Sequence, residues 1–265
     1  NSICSMWGNF HFKTFDGDVY QFPGMCEYNL VSDCQSLIRQ FSIYVKRTER
    51  STGPKISRVS ITINDIAIEL TENQVNVNEA KVTLPVHVSG ILVEENTIYT
   101  RLYSKMGITV MWNKDDAVMV ELDSKYSNRT CGLCGDFNGI PVYNEFIQSE
   151  NSRKMGFIEF GNKHKINLME SCENPSEIEE KKNWTAKCED YQAECEELFR
   201  AEVWSSCAVS YYPYVDACVY DRCFSKKSSV CATLSEYSRQ CSHNGGTPST
   251  WRTKDFCAVK CPYNM

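Results

Sequence analysis

Two closely spaced cysteines and several oxygen-bearing groups lie in one nine-residue segment, Cys131-Gly-Leu-Cys134-Gly-Asp136-Phe-Asn138-Gly139. A Cys-x-x-Cys pair can form a redox-active dithiol, supply half of a zinc site, or anchor disulfides to distant parts of a chain. The oxygen-bearing side chains add the chemistry of a cation site. The elements around the segment must distinguish between these possibilities.

The sequence around the cysteine pair favours structural disulfides. A thioredoxin-like dithiol lies at a helix N-terminus within a βαβ unit, whereas this pair follows a series of predicted antiparallel strands. A zinc site needs two further ligands, and no second Cys/His pair of suitable spacing accompanies Cys131 and Cys134. Disulfides to distant partners are the preferred interpretation. The alternative is an enzymatic function, thiol–disulfide exchange through Cys131 and Cys134.

The oxygen-bearing groups after the second cysteine have the spacing of a cation loop. Asp136, Asn138 and the backbone carbonyl of Ile140 recur at every second residue, so a curling loop directs their oxygens to one point. Asn144 and Glu145 can complete the six to eight oxygen ligands that Ca²⁺ prefers. The same composition is also typical of a solvated turn. The residues alone leave both interpretations open.

The first half of the chain has the pattern of antiparallel strands. Apolar and polar residues alternate over residues 41–122, and turns rich in Asn and Asp separate the runs. Residues 108–112 are predicted to pair with residues 118–122 across one such turn. The pattern predicts a mainly β fold, a sandwich or a barrel.

The N-terminal segment is predicted to add a strand with an aromatic inner face. Phe10 and Phe12 alternate with His11 and Lys13, as in a half-buried strand. The Asp16-Gly17 dipeptide that follows is a strong hairpin signal. This segment therefore begins as β structure.

The second half of the chain changes to a helical period. Residues 172–187 are charged and polar, which indicates an exposed linker or domain boundary. Residues 188–203 then carry one apolar helical stripe, and residues 213–224 fit a second helix. A third is predicted to begin at the capping-box match Thr233-Leu-Ser-Glu236 and to end at Cys241. Such a domain is too small to be held by apolar burial, so its cysteines act as staples.

The cysteine content indicates an oxidising compartment. Of 15 cysteines, five lie in residues 1–171 and ten in residues 172–265. This density predicts a disulfide framework in a secreted, extracellular protein. Sequons at Asn128 and Asn183 predict N-glycosylation. The odd count, with Cys261 near the end of the chain, indicates a cysteine whose partner has been lost by truncation.

The overall composition argues against two classes of partner. The net charge of −6 gives no basic footprint for nucleic acid. No apolar run approaches the length needed to cross a membrane. Neither nucleic acid nor membrane is an expected partner.

Long ordered motifs in this chain resemble the von Willebrand factor type D domain followed by a C8 module. The first resemblance rests on Trp7-Gly-Asn-Phe-His-Phe-Lys-Thr-Phe-Asp-Gly17, Phe22-Pro-Gly-Met-Cys-Glu-Tyr28, Cys131–Gly139 and Phe157-Ile-Glu-Phe-Gly-Asn162. The second rests on Tyr214-Val-Asp-Ala-Cys218, Thr233-Leu-Ser-Glu-Tyr-Ser-Arg-Gln-Cys241 and Trp251-Arg-Thr253. The resemblance implies a type D β-sandwich at residues 1–171, the linker at 172–187, a helical C8 domain at 188–257 and, at 258–265, the start of a truncated trypsin-inhibitor-like module.

The resemblance also implies a disulfide pattern that ties the two ends of the sandwich together. The implied pairs are Cys4–Cys134, Cys34–Cys131, Cys26–Cys172, Cys188–Cys223, Cys195–Cys218, Cys207–Cys241 and Cys231–Cys257. Cys261 is left over, with its partner in the missing part of the following module. The implied calcium ligands are Asp16, Asp136, Asn138, the Ile140 carbonyl, Asn144 and Glu145.

The function implied by the resemblance is structural. The chain is most similar to the first N-terminal D assembly of a secreted gel-forming mucin, a non-enzymatic module that packs against neighbouring D assemblies of the same protein. Such packing takes place in an acidic, calcium-rich compartment and supports disulfide-linked polymerisation. His11, His87, His164 and His243 are candidate sensors of that acidity, since an unperturbed histidine titrates there. A different extracellular-matrix protein with the same modules is the remaining alternative.

Overall fold

A computed structural model describes residues 1–141, 146–148, 153–166, 171–172, 186–224 and 229–259 of the chain. The chain divides into two compact units, Asn1–Glu179 and Glu180–Met265. The division falls inside the predicted linker at 172–187. Residues 173–185 of that linker lie outside the described part of the chain.

The first unit is built from short antiparallel strands. In chain order they are β1 (Ser2–Trp7), β2 (His11–Lys13), β3 (Val19–Gln21), β4 (Glu27–Asp33), β5 (Phe41–Arg50), β6 (Gly53–Ile63), β7 (Ile66–Thr71), β8 (Val75–Val77), β9 (Ala80–Val82), β10 (Val86–Val88), β11 (Ile91–Glu95), β12 (Thr100–Ser104), β13 (Ile108–Trp112), β14 (Val118–Leu122), β15 (Thr130–Cys131), β16 (Ile147–Gln148) and β17 (Arg153–Lys154). A short helix, α1 (Phe157–Asn162), follows them. The mainly β prediction is confirmed.

Two large sheets face each other across one hydrophobic core. The first sheet has the order β10-β11-β12-β13-β14-β1-β2-β3, and the second has the order β15-β4-β5-β6-β7-β8-β9. Apolar residues of both sheets belong to a single buried cluster. Period-two alternation explains this arrangement, because it places one apolar face of each sheet inward. The unit is a β-sandwich.

The pairing predicted across the turn at residues 113–116 is confirmed. Ile108 lies opposite Leu122, and Trp112 lies opposite Val118, in the β13–β14 register. The β2–β3 hairpin also forms where Asp16-Gly17 predicts it, and the Gly17 amide donates to the Thr14 carbonyl at 3.1 Å. Local alternation and turn chemistry were sufficient for both.

The alternation at the N-terminus was predicted wrongly. Phe10 lies outside β2, in a turn with φ of +69°, and is only half-buried. His11, expected on the polar face, is fully buried and stacks on Trp7 with ring centroids 5.3 Å apart. Arg47 from the facing sheet lies over the Phe12 ring at 4.9 Å and has only 5% of its surface exposed. Both sides of β2 are therefore covered.

The second unit is helical. Its elements are α2 (Ala186–Glu189), α3 (Gln192–Arg200), a 3-10 turn (Glu202–Trp204), α4 (Tyr212–Phe224) and α5 (Val230–His243). Four of the predicted disulfide pairs lie in this unit. No helix in the described part of the chain is long and apolar enough to cross a membrane.

Two helix boundaries in this unit differ from the prediction. The single stripe at residues 188–203 is divided into α2, α3 and the 3-10 turn. The third helix begins at Val230, one turn before Thr233. Thr233 is not an N-cap: its hydroxyl donates to the Asp221 carboxylate of α4 at 2.6 Å, inside the core. Glu236, the other half of the capping-box match, accepts from Arg239 and Gln240 instead.

Candidate functional site

The segment that follows β15 is fixed to the beginning of the second sheet. Cys131 lies opposite Ser32 in the β15–β4 pairing. The chain then crosses β4, and the amides of Leu133 and Cys134 donate to the carbonyls of Asn29 and Leu30 at 3.0 and 2.9 Å. The Cys-Gly-Leu-Cys segment is therefore bound along β4 by its backbone.

Gly132 is required for this crossing. Its φ is +124°, and a Cβ built there would lie 2.6 Å from the Leu30 carbonyl oxygen. Real Cβ atoms do not approach backbone oxygen so closely, and only glycine adopts this φ without strain. The glycine between the two cysteines is explained by packing against β4.

Each cysteine of the pair bonds a different distant cysteine. Cys134 is joined to Cys4 in β1, 130 residues away, with both residues fully buried. Cys131 is joined to Cys34 at the end of β4, 97 residues away. In this structure the two sulfurs are not bonded to each other. Their bonds tie the segment to both sheets of the sandwich.

The seven disulfides in the described part of the chain coincide with the pairs that the resemblance implies. Besides the two above, they are Cys26–Cys172, Cys188–Cys223, Cys195–Cys218, Cys207–Cys241 and Cys231–Cys257. Cys261 lies outside the described residues. The longest loop, closed by Cys26–Cys172, spans 146 residues.

The turn after β2 and the segment after Cys134 meet at two carboxylates. Asp16 accepts hydrogen bonds from the amides of Gly139 at 2.6 Å and Asn138 at 3.3 Å. Asp136 accepts from the Asn138 amide at 3.2 Å and from the Asn138 side chain at 2.9 Å. Asn138 thus lies between the two carboxylates, and three of the predicted ligand residues come together.

The two carboxylates of this pair repel each other electrostatically. Burial, and after it the charge of the neighbouring Asp16 carboxylate, raise the pKa of Asp136 above its ordinary value. The two carboxyl groups are close enough to share a hydrogen bond. Neither forms a salt bridge to another described residue. A hard cation between the two carboxylates would remove the like-charge repulsion, so the donor set fits calcium.

The rest of the predicted ligand shell is only partly described. The Ile140 amide donates to the Asn138 side-chain oxygen at 2.8 Å, which fixes the curl of the loop. Asn144 and Glu145 lie outside the described residues. Among the residues described, no cluster of three or more His, Cys, Asp or Glu side chains has the geometry of a metal site. The described part of the shell consists of two carboxylates, an amide side chain and backbone.

Sequence reasoning missed the aromatic contact beneath this loop. The Phe15 and Phe137 rings lie 5.1 Å apart, and the Phe15 amide donates to the Cys134 carbonyl at 3.0 Å. Phe137 has φ of +57°, which turns the chain between Asp136 and Asn138. The signal was the phenylalanine beside the aspartate in each segment, Phe15-Asp16 and Asp136-Phe137.

The four histidines lie on separate elements. His11 is buried on β2, whereas His87 on β10 and His243 at the end of α5 are exposed. His164 follows α1, and its ring lies 4.8 Å from that of Phe160. Burial lowers the pKa of His164 to about 4, with a smaller contribution from Lys163.

The fold, the disulfide framework and the loop in which Asp16 meets Asp136 together define a type D β-sandwich. A helical domain follows it in the chain. Residues 4–152 match the model of the von Willebrand factor type D domain, and residues 194–258 match that of the C8 domain. The chain belongs to the von Willebrand factor type D domain family. The sandwich predicted from the motifs is confirmed by the observed fold and by the match to the family model.

The chain is also similar to mucins over its whole length. It is 47% identical over 272 residues to mucin-2 of Mus musculus, covering 100% of this chain and 6% of that protein. It is 43% identical over 270 residues to mucin-5AC of Homo sapiens, covering 99% of this chain and 5% of that protein. It is 33% identical over 276 residues to mucin-6 of Homo sapiens, covering 99% of this chain and 11% of that protein. The chain thus spans a small part of these relatives. Its disulfide framework is that of a secreted, extracellular protein.

Proposed function

We propose that this chain is a non-enzymatic structural assembly module of a secreted, gel-forming, mucin-like glycoprotein. The observation that carries the proposal is the full-length similarity to mucins, together with a disulfide framework that consumes both cysteines of the Cys-Gly-Leu-Cys segment. A sandwich cross-linked by several disulfides suits a structural building element. Its partners are neighbouring D assemblies of the same protein.

Calcium binding is the second part of the proposal. Asp16, Asp136 and Asn138 hold the ion, with the Ile140 carbonyl and residues Asn144 and Glu145 completing the shell. The convergence of Asp16 and Asp136 supports this assignment, because the charge of one carboxylate raises the pKa of the other. The ion would lock the β2–β3 turn onto the segment after Cys134. Calcium thereby stabilises the surface that neighbouring assemblies contact.

Acid-dependent packing is the third part. Association is strongest in the acidic, calcium-rich secretory pathway and precedes disulfide-linked polymerisation. His164 does not supply the response near pH 6, because burial lowers its pKa to about 4 and keeps it neutral there. The exposed His87 and His243 are the remaining candidates that lie at the surface.

The alternative to a structural role is an enzymatic one, the catalysis of thiol–disulfide exchange through Cys131 and Cys134. Exchange requires an accessible disulfide, and Cys34, the partner of Cys131, is exposed at the end of β4. Labelling of thiols in the unreduced protein separates the two functions. An assembly module keeps both cysteines protected, whereas an exchange catalyst shows reactive thiols at 131 and 134 and turns over a model disulfide. An extracellular-matrix protein with the same modules is distinguished by the sequence that flanks this segment.

Self-association is the direct test of assembly. Light scattering on the chain, extended through its following module, is expected to show a larger mass at pH 5.5 with calcium than at pH 7.4 without it. A mass that stays monomeric under all these conditions refutes the proposal.

A further inference from the structure

The Asn128 sequon lies at one end of the second sheet, beside the β15–β4 pairing and the Cys34–Cys131 bond, which together are called the clasp. Asn128 occupies an exposed turn after the 3-10 turn Ser124–Tyr126, with φ of +58°, and its amide donates to the Phe137 carbonyl at 3.0 Å. Asparagine tolerates this left-handed conformation well. The Asn128 amide is hydrogen-bonded and the residue is exposed, so a glycan on its side chain is compatible with the folded sandwich.

The third residue of the sequon has the opposite environment. Thr130 is only 5% exposed, and its hydroxyl donates to the Gly135 carbonyl at 2.9 Å. It lies in β15, opposite Asp33 of β4. Serine and threonine share only the hydroxyl, so recognition of Asn-x-Ser/Thr depends on that group. In the folded sandwich this hydroxyl is not available.

The middle residue is also held by the clasp. The Arg129 carbonyl accepts from the Cys34 amide at 2.8 Å, and the Arg129 side chain donates to Ser36 at 2.6 Å. Cys131, the next residue after the sequon, is bonded to Cys34. Backbone pairing, an ionic contact to Asp33 at 3.7 Å and a disulfide therefore all hold the sequon against β4.

We propose that Asn128 carries an N-linked glycan that can be added only before Cys131 bonds Cys34 and β15 pairs with β4. The clasp and the modification compete for the same four residues, 128–131. Once the clasp has closed, Asn128 is exposed but cannot be recognised, because Thr130 is buried. Occupancy of Asn128 therefore records whether glycosylation or disulfide closure came first.

The transfer itself uses the standard donor class of the secretory pathway, a lipid-pyrophosphate-linked oligosaccharide. The Asn128 Nδ2 atom forms a bond to C1 of the first sugar. The bond from C1 to the pyrophosphate oxygen breaks, and its electron pair leaves with the lipid pyrophosphate. The proton lost from Nδ2 passes to a base of the transferase. No oxidant or reductant is involved.

The experiment compares two states of one chain. The 265-residue chain is made in a bacterial periplasm, which forms disulfides without adding this glycan, and its seven bonds are verified by mass spectrometry. Purified oligosaccharyltransferase and lipid-linked oligosaccharide are then added to the folded chain and to the reduced, unfolded chain. Transfer to the peptide containing Asn128 is expected to be at least about tenfold slower for the folded chain, because β15 must open first.

Three controls separate the possible outcomes. Asn128→Gln removes the acceptor and must abolish the product on that peptide. Asn183, on the same chain, measures the activity of the enzyme in each reaction. The double variant Cys34→Ser with Cys131→Ser cannot close the clasp, and in secretory cells it is expected to show Asn128 occupancy at least equal to that of the parent, whether or not it folds.

Two results would overturn the proposal. Equal transfer to Asn128 in the folded and unfolded chains would show that the clasp does not hide the sequon. Absence of transfer in both states, with Asn183 modified, would show that residues 128–130 are not an acceptor. Slow transfer to the folded chain and rapid transfer to the unfolded chain supports it.

Discussion

The Asp16 carboxylate accepts a hydrogen bond from the Gly139 amide at 2.6 Å, across 123 residues of sequence. This contact joins the turn of the β2–β3 hairpin to the loop that follows β15, the last strand of the two large sheets. The Cys4–Cys134 bond lies in the same region and holds the two segments together. The geometry of the proposed calcium site therefore depends on a disulfide that contains none of its ligands.

Removing the Asp136 carboxylate should raise the stability of the ion-free protein but lower its affinity for calcium. Asp136→Asn keeps the shape of the side chain but removes the repulsion from Asp16, so the ion-free protein should become slightly more stable. Calcium affinity should fall about tenfold or more, because carboxylate charge sets the affinity of such sites. Calorimetric titration measures the affinity, and thermal unfolding with a chelator measures the stability. Asp65→Asn, in an exposed turn at φ of +64°, is the matched control. An unchanged affinity in Asp136→Asn would remove this residue from the site.

The buried Cys4–Cys134 disulfide should stabilise the folded sandwich more than the Cys34–Cys131 disulfide does. Cys4→Ala with Cys134→Ala should lower the free energy of unfolding by at least about 4–5 kcal/mol, the chain-entropy contribution of so long a loop. Cys34→Ala with Cys131→Ala opens a loop of similar length, 97 residues, but Cys34 is exposed and leaves less of a cavity. Denaturant titration compares the two double variants. Equal losses would show that burial of the Cys4–Cys134 bond adds nothing.

Two glycines in the same segment should respond differently to alanine. Gly132→Ala places a Cβ 2.6 Å from the Leu30 carbonyl oxygen, whereas a Cβ at Gly139 meets nothing within 4 Å. Both positions have positive φ, so each variant carries backbone strain of about 1–3 kcal/mol. Only Gly132→Ala adds a backbone clash and should therefore be the more destabilised. Urea midpoints of the two variants decide this, and a larger loss for Gly139→Ala would contradict the account.

His164 should make the first unit less stable in acid. Its pKa is about 4 in the folded state against an ordinary value of 6.5, so the unfolded chain binds a proton more readily between these values. The free energy of unfolding should thus fall as the pH drops from 6.5 towards 4. His164→Gln should show a weaker fall over this range, while His87→Gln, on an exposed position of β10, should match the parent. Urea titrations at pH 7 and pH 5 make the comparison. An identical pH dependence in parent and His164→Gln would be the contrary result.

Much of the fold was predictable because its signals are local. The β13–β14 register follows from apolar alternation on both sides of one turn. The third helix shows the limit of such reasoning, because Thr233 matches a capping box but its hydroxyl bonds Asp221 in a neighbouring helix. A tertiary contact of this kind cannot be predicted from the local sequence pattern. The same applies to His11, which is polar in sequence and buried against Trp7.

The candidate site was predictable in part and for different reasons. The spacing of Asp136 and Asn138 indicates a curling loop, but nothing in the spacing selects Asp16. That residue became a candidate through family resemblance, and the structure places it beside Asp136. The Phe15–Phe137 contact was missed because it joins two segments that are distant in sequence.

Assembly is tested directly by light scattering, which measures the mass of the chain, extended through its following module, at pH 7.4 and pH 5.5 with and without calcium. The parent is expected to associate at pH 5.5 with calcium, and Asp136→Asn is expected to associate less under the same conditions. Asp65→Asn should behave as the parent does. A parent chain that remains monomeric at pH 5.5 with calcium would contradict the proposed role as an assembly module.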